Sequence, residues 1–439
     1  MKVRLLGGLL LWVTTLYCPP PPRPKNGKAR KECRGRGPEG GGIYPELGVL
    51  GIQEGKSPAL IRDVSRQVAL LPSYEIARRE LDRRGLALNI KEVHNIASYA
   101  GEAALTYRRR LLEQYRAGQM PAGEELAGKR VGVFVDGGRT KIRTVIRRQK
   151  GRGKTKKRKR RYRSDWREPK LLIIYEFDER GRMIPDSKST IDGTFSGPDE
   201  LMEVLAMHLH RLGAAKAKVV SMGADGAPWV WDRWDWVIKR VGLDAERVTK
   251  TLDWCHATHH ISLALGHVLK DEKERRLVFK ELRGLLKRSN WLEVALDLAR
   301  RAEAAELPQE HETWTAINYL ERHGLAGHMN YATFRRRGLP LGSGAVESAI
   351  RRVINLRMKG NSISWYEEKA EAMLVLRGLV LTDRWDTTFG AISASMASDR
   401  RLEWAIDSPD MPAQLNAGIE IRPPTTQVAE SPSSFTAAA

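Results

Sequence analysis

The sequence predicts an α/β fold, a mixed sheet flanked by helices and interrupted by an all-helical insertion. Three observations predict it. Short apolar runs recur at "VGVFVDGG", "KLLIIYEF" and "AKVVSMGADG", and "RVTKTLDW" repeats the strand-to-helix pattern. The later runs alternate with segments of helical period, the pattern of strand–helix–strand layers. Residues 270 to 338 then carry helical period with no strand signal, before one last helix opens at "GSGAVESAIRRVINLRMKG".

With 439 residues the chain has room for two or three folded units, and 41% hydrophobic residues supply a core. Its first residues, "MKVRLLGGLLLWVTTLYC", share the cationic start and apolar run of a secretory signal. The run is too short to span a bilayer, and its Val, Trp, Thr, Leu and Tyr also suit a strand. No other stretch qualifies as a membrane span. Residues 19 to 48 are loop-like, rich in Pro, Gly and charge, so 1–57 reads as a poorly defined N-terminal segment.

Over 58–125 the pattern is helical. Two short helices, 73–84 and 90–100, join through Gly85, with Ser73 and Asn89 as N-caps and Ile76, Ala77 and Leu81 as an apolar face. They fit a helix-turn-helix-like DNA-binding region whose second helix reads a groove, and equally an ordinary helical hairpin. A charged helix, 104–117, follows. The first part of the sheet domain, 126–269, begins with a buried strand ending at Asp136. A Gly-Gly turn then leads into a second strand, predicting a hairpin. A basic loop, the strand at 170, a helix at 199–212 and two strand-to-helix units complete it. The helical insertion is 270–340, the last helix lies within 341–385 and runs to about 381, and 386–439 is a flexible tail. There is no internal repeat.

The formal net charge is +22 and the pI about 10.0, which calls for a polyanionic partner. The charge is uneven. Residues 139 to 163 hold 15 of the 75 Lys and Arg and no acid, so without them the excess is +22 − 15 = +7. A local polyanion-binding device explains that concentration better than a diffuse basic surface. Three cysteines (Cys18, Cys33, Cys255) are too few for a disulfide scaffold and fit a reducing compartment.

Three acids occupy special positions. Asp136 ends the first strand, Asp225 follows the strand at 219, and Glu347 opens the late helix. Singly, each aspartate is an ordinary Asp-Gly turn, and Glu347 is a carboxylate favourable to a helix start that can pair with Arg351. Together, beside a polycationic loop, they suggest a carboxylate cluster at the strand ends, where such sheets place their chemistry. Hard cations such as Mg²⁺ take oxygen ligands, and two ions about 4 Å apart can activate an attacking oxygen and stabilise a leaving one.

Other motifs carry less. "GRGKT" ends like a phosphate loop, but Arg148 stands where its first glycine belongs. His256 and His260 in "HATHH" have the spacing of a zinc pair without the glutamate of that motif. Trp229, Trp231, Trp234 and Trp236 read as core, with stacking on an unpaired base as a second role.

The motifs "VFVDGGRTK", "GADGAPWVW", "LDWCHATHH" and "LGSGAVESAIRRVINLRMKG", in this order, make residues 60 to 385 resemble a bacterial insertion-sequence transposase of the DDE class. The resemblance implies a ribonuclease-H-like core, two Mg²⁺ (or Mn²⁺) ions, and Asp136, Asp225 and Glu347 as catalytic metal ligands. Asp253 and His256, in "DWCH", would support that site, and the long gap from Asp225 to Glu347 matches members with a helical insertion. The sequence departs from relatives that carry a Cys-x-x-Cys ribbon, since Cys18 and Cys33 stand singly.

The implied activity is metal-dependent cleavage of DNA ends followed by strand transfer, on terminal repeats and target DNA, with self-association on DNA, no membrane, and a cytoplasmic, nucleoid-associated location. Expected DNA contacts are Arg139, Lys141, Arg147, Arg148, Lys154, Lys156, Lys157, Arg158, Lys159, Arg160 and Arg161 in the basic loop. Arg351, Arg352, Arg357 and Lys359 would add to them after Glu347. A ribonuclease-H-like nuclease that cuts without joining, and a non-catalytic or decayed DNA-binding protein, remain the alternatives.

Overall fold

A computed structural model of the chain describes residues 1–17, 44–148 and 160–406. Its centre is a mixed five-stranded sheet made of β3 (Arg130–Gly137), β6 (Lys170–Glu176), β7 (Thr190–Thr194), β8 (Val219–Ala224) and β9 (Val248–Leu252). The strand order is β7-β6-β3-β8-β9. The pairs β7–β6 and β6–β3 are antiparallel, while β3–β8 and β8–β9 are parallel. In β3 the alternation is clean. Val131, Val133 and Val135 enter the core beneath α5 (Pro198–Arg211) and α6 (Pro228–Val241), while Phe134 enters the core on the opposite face. A strand buried on both faces reads as a continuous apolar run, which is why β3 and β6 are legible.

Two strand predictions are corrected. The expected hairpin across Gly137–Gly138 does not form. Both edges of β3 are occupied by β6 and β8, and the Gly138 N–H donates instead to the Pro169 carbonyl (2.9 Å). The second strand, β4 (Thr140–Arg148), pairs antiparallel with β5 (Arg160–Arg167) as a separate two-stranded ribbon. Strand β7, "TIDGT", goes unpredicted because its Asp-Gly reads as a turn. All five of its residues are buried, and Asp192 is held by Arg108 (2.9 Å) and His208 (2.9 Å). Those partners lie on α4 (Ile90–Arg116) and α5, distant in sequence.

Helices pack on the second face. The pair α3 (Tyr74–Arg83) and α4 carries the predicted caps: Ser73 accepts from Ile76 N–H (3.1 Å), and Asn89 with Glu92 forms a capping box. The expected break near residue 100 is absent, because α4 is one helix of 27 residues. Its inner face lies against α2 (Pro58–Leu70) and α13 (Glu367–Leu381), with Gly101 giving passage to Ala372. The helical region 58–125 therefore shares one continuous core with the sheet.

The insertion is helical as expected: α8 (Glu272–Lys287), α9 (Trp291–Ala304), α10 (Glu312–Leu325) and α11 (Tyr331–Arg336) follow α7 (Trp254–Val268). The final helix is not continuous to 381. It comprises α12 (Gly344–Ile350), a π-helical turn (Arg351–Asn355), a run of turns hydrogen-bonded to β4 through Trp365, and then α13. Buried Arg377 donates to the carbonyls of Val353 (2.8 Å), Arg352 and Ala69. It thereby satisfies two carbonyls of the π-helical turn and ties that turn to the end of α2.

The tail is also corrected in part. Residues Trp385–Ile406 form α14, and Trp385, Phe389 and Ile392 are buried. The N-terminal apolar run folds into two short paired strands, β1 (Lys2–Arg4) and β2 (Leu10–Trp12), and α1 (Pro45–Val49) precedes α2. Cys18 and Cys33 lie outside the described residues. Among the described residues, no helix is long and apolar enough to cross a membrane.

Candidate active site at the C-terminal edge of the sheet

The pairing register aligns three aspartates on neighbouring strands. Phe134 pairs with Gly223, an offset of 223 − 134 = 89, which is also 225 − 136. Ala224 pairs with Leu252, an offset of 252 − 224 = 28, which is also 253 − 225. Asp136, Asp225 and Asp253 thus occupy one level at the C-terminal ends of three adjacent parallel strands. Polar side chains at the carboxyl ends of parallel strands face the crevice outside the sheet.

Each carboxylate is tethered by its own turn. Asp136, half-buried, accepts from the Gly137 N–H (2.6 Å), and Asp225, half-buried, accepts from the Ala227 N–H (3.1 Å). Asp253 is fully buried and joins two elements. One oxygen accepts from the Ser343 N–H (2.7 Å), and the other from the His256 N–H (2.9 Å) and His256 Nδ1 (2.6 Å). It caps α7 and at the same time fixes the entry to α12.

Glu347 is exposed near the start of α12, which packs on β3 and β6. The N-cap is Ser343, so Glu347 occupies the fourth helical position. Its partner is the Ser343 hydroxyl, which donates to Oε1 (2.5 Å), in place of the expected Arg351. Ser343 is the residue sequence reasoning missed. Its place between glycines in "GSG" was a cap signal, but its contacts with both Asp253 and Glu347 depend on the fold.

The charges interact. Burial first, and then the negative charges of Asp225 and Glu347, push the Asp136 carboxyl up to about 6, against the Gly137 N–H and His256. His256 is raised above the ordinary imidazole value, chiefly by its bond to Asp253, with Asp225 and Asp136 adding to it. One imidazole therefore answers three carboxylates.

By chemistry the donor set suits a hard cation. Among the described residues, the side-chain hydrogen bonds engage Asp136 Oδ1, Asp225 Oδ1 and Glu347 Oε1, which leaves a second oxygen on each carboxylate as a candidate ligand. As placed, no three His, Cys, Asp or Glu side chains among the described residues are gathered closely enough to enclose an ion. The zinc spacing of His256 and His260 has another explanation: His260 stacks on Tyr319 with ring centres 3.8 Å apart, and burial lowers its imidazole to about 4.

The helical insertion braces the Asp225 turn. Gly226 has no room for a Cβ because the Tyr319 ring lies against it, and Arg322 donates to its carbonyl (3.1 Å). Trp231 donates to the Asp225 carbonyl (3.3 Å) and stacks on His328, 4.0 Å between ring centres. The tryptophans therefore divide: Trp234 is core, Trp231 is a brace, Trp229 lies under Lys170 and Trp236 is exposed. A cavity of about 360 Å³ between α4, α5 and α13 holds none of the three carboxylates.

The expected DNA contacts also divide. Arg139, Arg351 and Lys359 are exposed, and Lys141 and Arg352 are half-buried. Arg357 is corrected: it is buried, between Tyr74 (4.8 Å) and Trp365 (5.2 Å), and packs the core instead of meeting solvent. Arg147, Arg148, Arg160 and Arg161 belong to the ribbon strands, but their side chains fall outside the described residues. Lys154, Lys156, Lys157, Arg158, Lys159 and the "GRGKT" segment also lie outside them. No family model, curated protein or solved structure matches the chain.

Proposed function

We propose that the chain is a metal-dependent enzyme that cuts DNA ends and joins them to a target, a transposase of the DDE class on a ribonuclease-H-like core. The observation that carries this reading is the convergence of Asp136 and Asp225, level on adjacent parallel strands, with Glu347 acting electrostatically on the same site. The order β7-β6-β3-β8-β9, with three antiparallel strands followed by two parallel ones, is what a ribonuclease-H-like sheet requires and supports that core.

Asp136, Asp225 and Glu347 would hold two Mg²⁺ or Mn²⁺ ions. When bound, the ions offset the carboxylates' repulsion and supply Lewis acidity to the scissile phosphate and the attacking oxygen. The chain's own residues do the positioning. The Gly137 and Ala227 N–H groups orient the two aspartates, Ser343 orients Glu347, and Asp253 locks α12 to the end of β9. His256 Nδ1 bonds the Asp253 carboxylate, which favours the charged form of the imidazole. Arg139, Lys141, Arg351, Arg352 and Lys359, with the basic segment, would hold phosphates. Joining two ends requires self-association on DNA, and the work is intracellular, on the nucleoid.

The test is incubation with labelled duplex carrying the ends of the genetic element, with and without Mg²⁺. Nicked and strand-transfer products together are the expected outcome. Nicking alone would mark a nuclease, and binding with neither product a DNA-binding protein.

A further inference from the structure

One face of the β4–β5 ribbon alternates cations and aromatics. Lys141 pairs with Trp166, Arg143 with Ser164, and Val145 with Tyr162, so these six side chains share a face. It carries no acid. Trp166 is 48% exposed and Tyr162 41%. Three cations, Lys141 (5.4 Å), Lys359 (5.9 Å) and Arg139 (6.0 Å), gather on the Trp166 ring. Arg143 lies between Tyr162 (5.3 Å) and Tyr366 (4.4 Å). The two exposed rings are four residues apart on one strand, about 13 Å.

The ribbon is rooted beside the carboxylates. Arg139 is three residues beyond Asp136, Glu168 packs against Gly137, and Pro169 holds the Gly138 N–H. Duplex DNA presents its phosphates and hides its base faces, so cations alone would serve it. Exposed rings set among cations suit unpaired bases, which offer a π-face to stack while the backbone meets the charges.

We propose that this face is a docking track for unpaired single-stranded DNA next to the carboxylate site, with Trp166 and Tyr162 as its base-stacking platforms. The track deepens the strand-cutting reading, since it names the substrate state the site would receive, and its test does not depend on cleavage. The probe is a fluorescein-labelled oligothymidine of about 12 nucleotides, a length within common single-strand site sizes, with a duplex of equal length as control. Anisotropy should show W166A and Y162A each weakening single-strand binding roughly tenfold or more. Duplex binding should change less than about twofold and the melting temperature should hold, while W166F should retain most of the affinity.

Equal losses on both probes, no loss on the single strand, or no single-strand binding by the wild-type chain would overturn the track. A W166A protein that melts at lower temperature is decided by W166F, which must bind the strand like wild type for the track to stand. If the track holds while Mg²⁺-dependent cleavage is absent, it is the carboxylate reading that fails.

Discussion

At the scale of single residues, the chemistry proposed for Asp136 has a cost in stability. Its carboxyl is raised from 3.8 to about 6, so the folded state holds a proton that the unfolded chain releases. The stability linked to this group is fully present below about pH 4 and is lost as pH rises through about 6. Asp136→Asn removes the penalty. In chelator at pH 7.5 it should raise stability by about 1–2 kcal/mol, discounted for partial exposure, and the gain should vanish near pH 4. Denaturant unfolding at the two pH values checks this, and a gain that persists at pH 4 would contradict it. Adding Mg²⁺ should then stabilise the wild-type chain and leave the variant unmoved. The aspartates were legible in sequence as acids that follow apolar runs and precede turn residues. The role of Ser343 and the burial of Arg357 were not, because both are set by partners far along the chain.

At the scale of elements, sequence reasoning succeeded where burial is continuous and failed where pairing is chosen by competition. Strands β3, β6 and β8 announce themselves as apolar runs, β9 by its place before a helix, and α8 to α11 by period. The β3–β4 hairpin fails because a central strand has no free edge, a fact of topology that local turn chemistry cannot register. The break after α12 was invisible for a similar reason, since Arg377, which satisfies two carbonyls of the π-helical turn, comes more than twenty residues later. Arg377→Met keeps much of the side-chain volume but leaves three buried carbonyls unpaired, so it should cost about 3 kcal/mol in denaturant unfolding. A loss below about 1 kcal/mol would mean that the π-helical turn does not depend on it. In the proposed function the basic segment between β4 and β5 holds phosphates by charge. Replacing residues 149–159 with a short polar turn should flatten the salt dependence of duplex binding, by about 0.9 in log–log slope for each phosphate that is no longer neutralised. An unchanged slope would mean that other cations of the chain hold the phosphates.

At the scale of the whole molecule, one core runs from α2 and α4 through the sheet's second face into the insertion. The regions predicted as a separate DNA-reading unit and as an insertion are therefore expected to unfold with the sheet. Calorimetry should show one cooperative transition, and a resolved early transition for residues 58–125 would contradict that. The fold class and the three carboxylates were legible because each is written locally, as runs and as turns. That Asp136 and Asp225 stand level on adjacent strands was not, because it depends on the β3–β8 register and on an insertion that braces Asp225 through Tyr319, Arg322 and Trp231. The central claim is that this register assembles a strand-cutting centre. Its most direct test compares Mg²⁺-dependent cleavage of labelled element-end DNA by the wild-type chain with that by Asp136→Asn, Asp225→Asn and Glu347→Gln, each verified to be folded and to bind DNA. Cleavage by wild type and its loss by at least about a thousandfold in all three variants is the predicted result. Retention of cleavage by any one of them would contradict it.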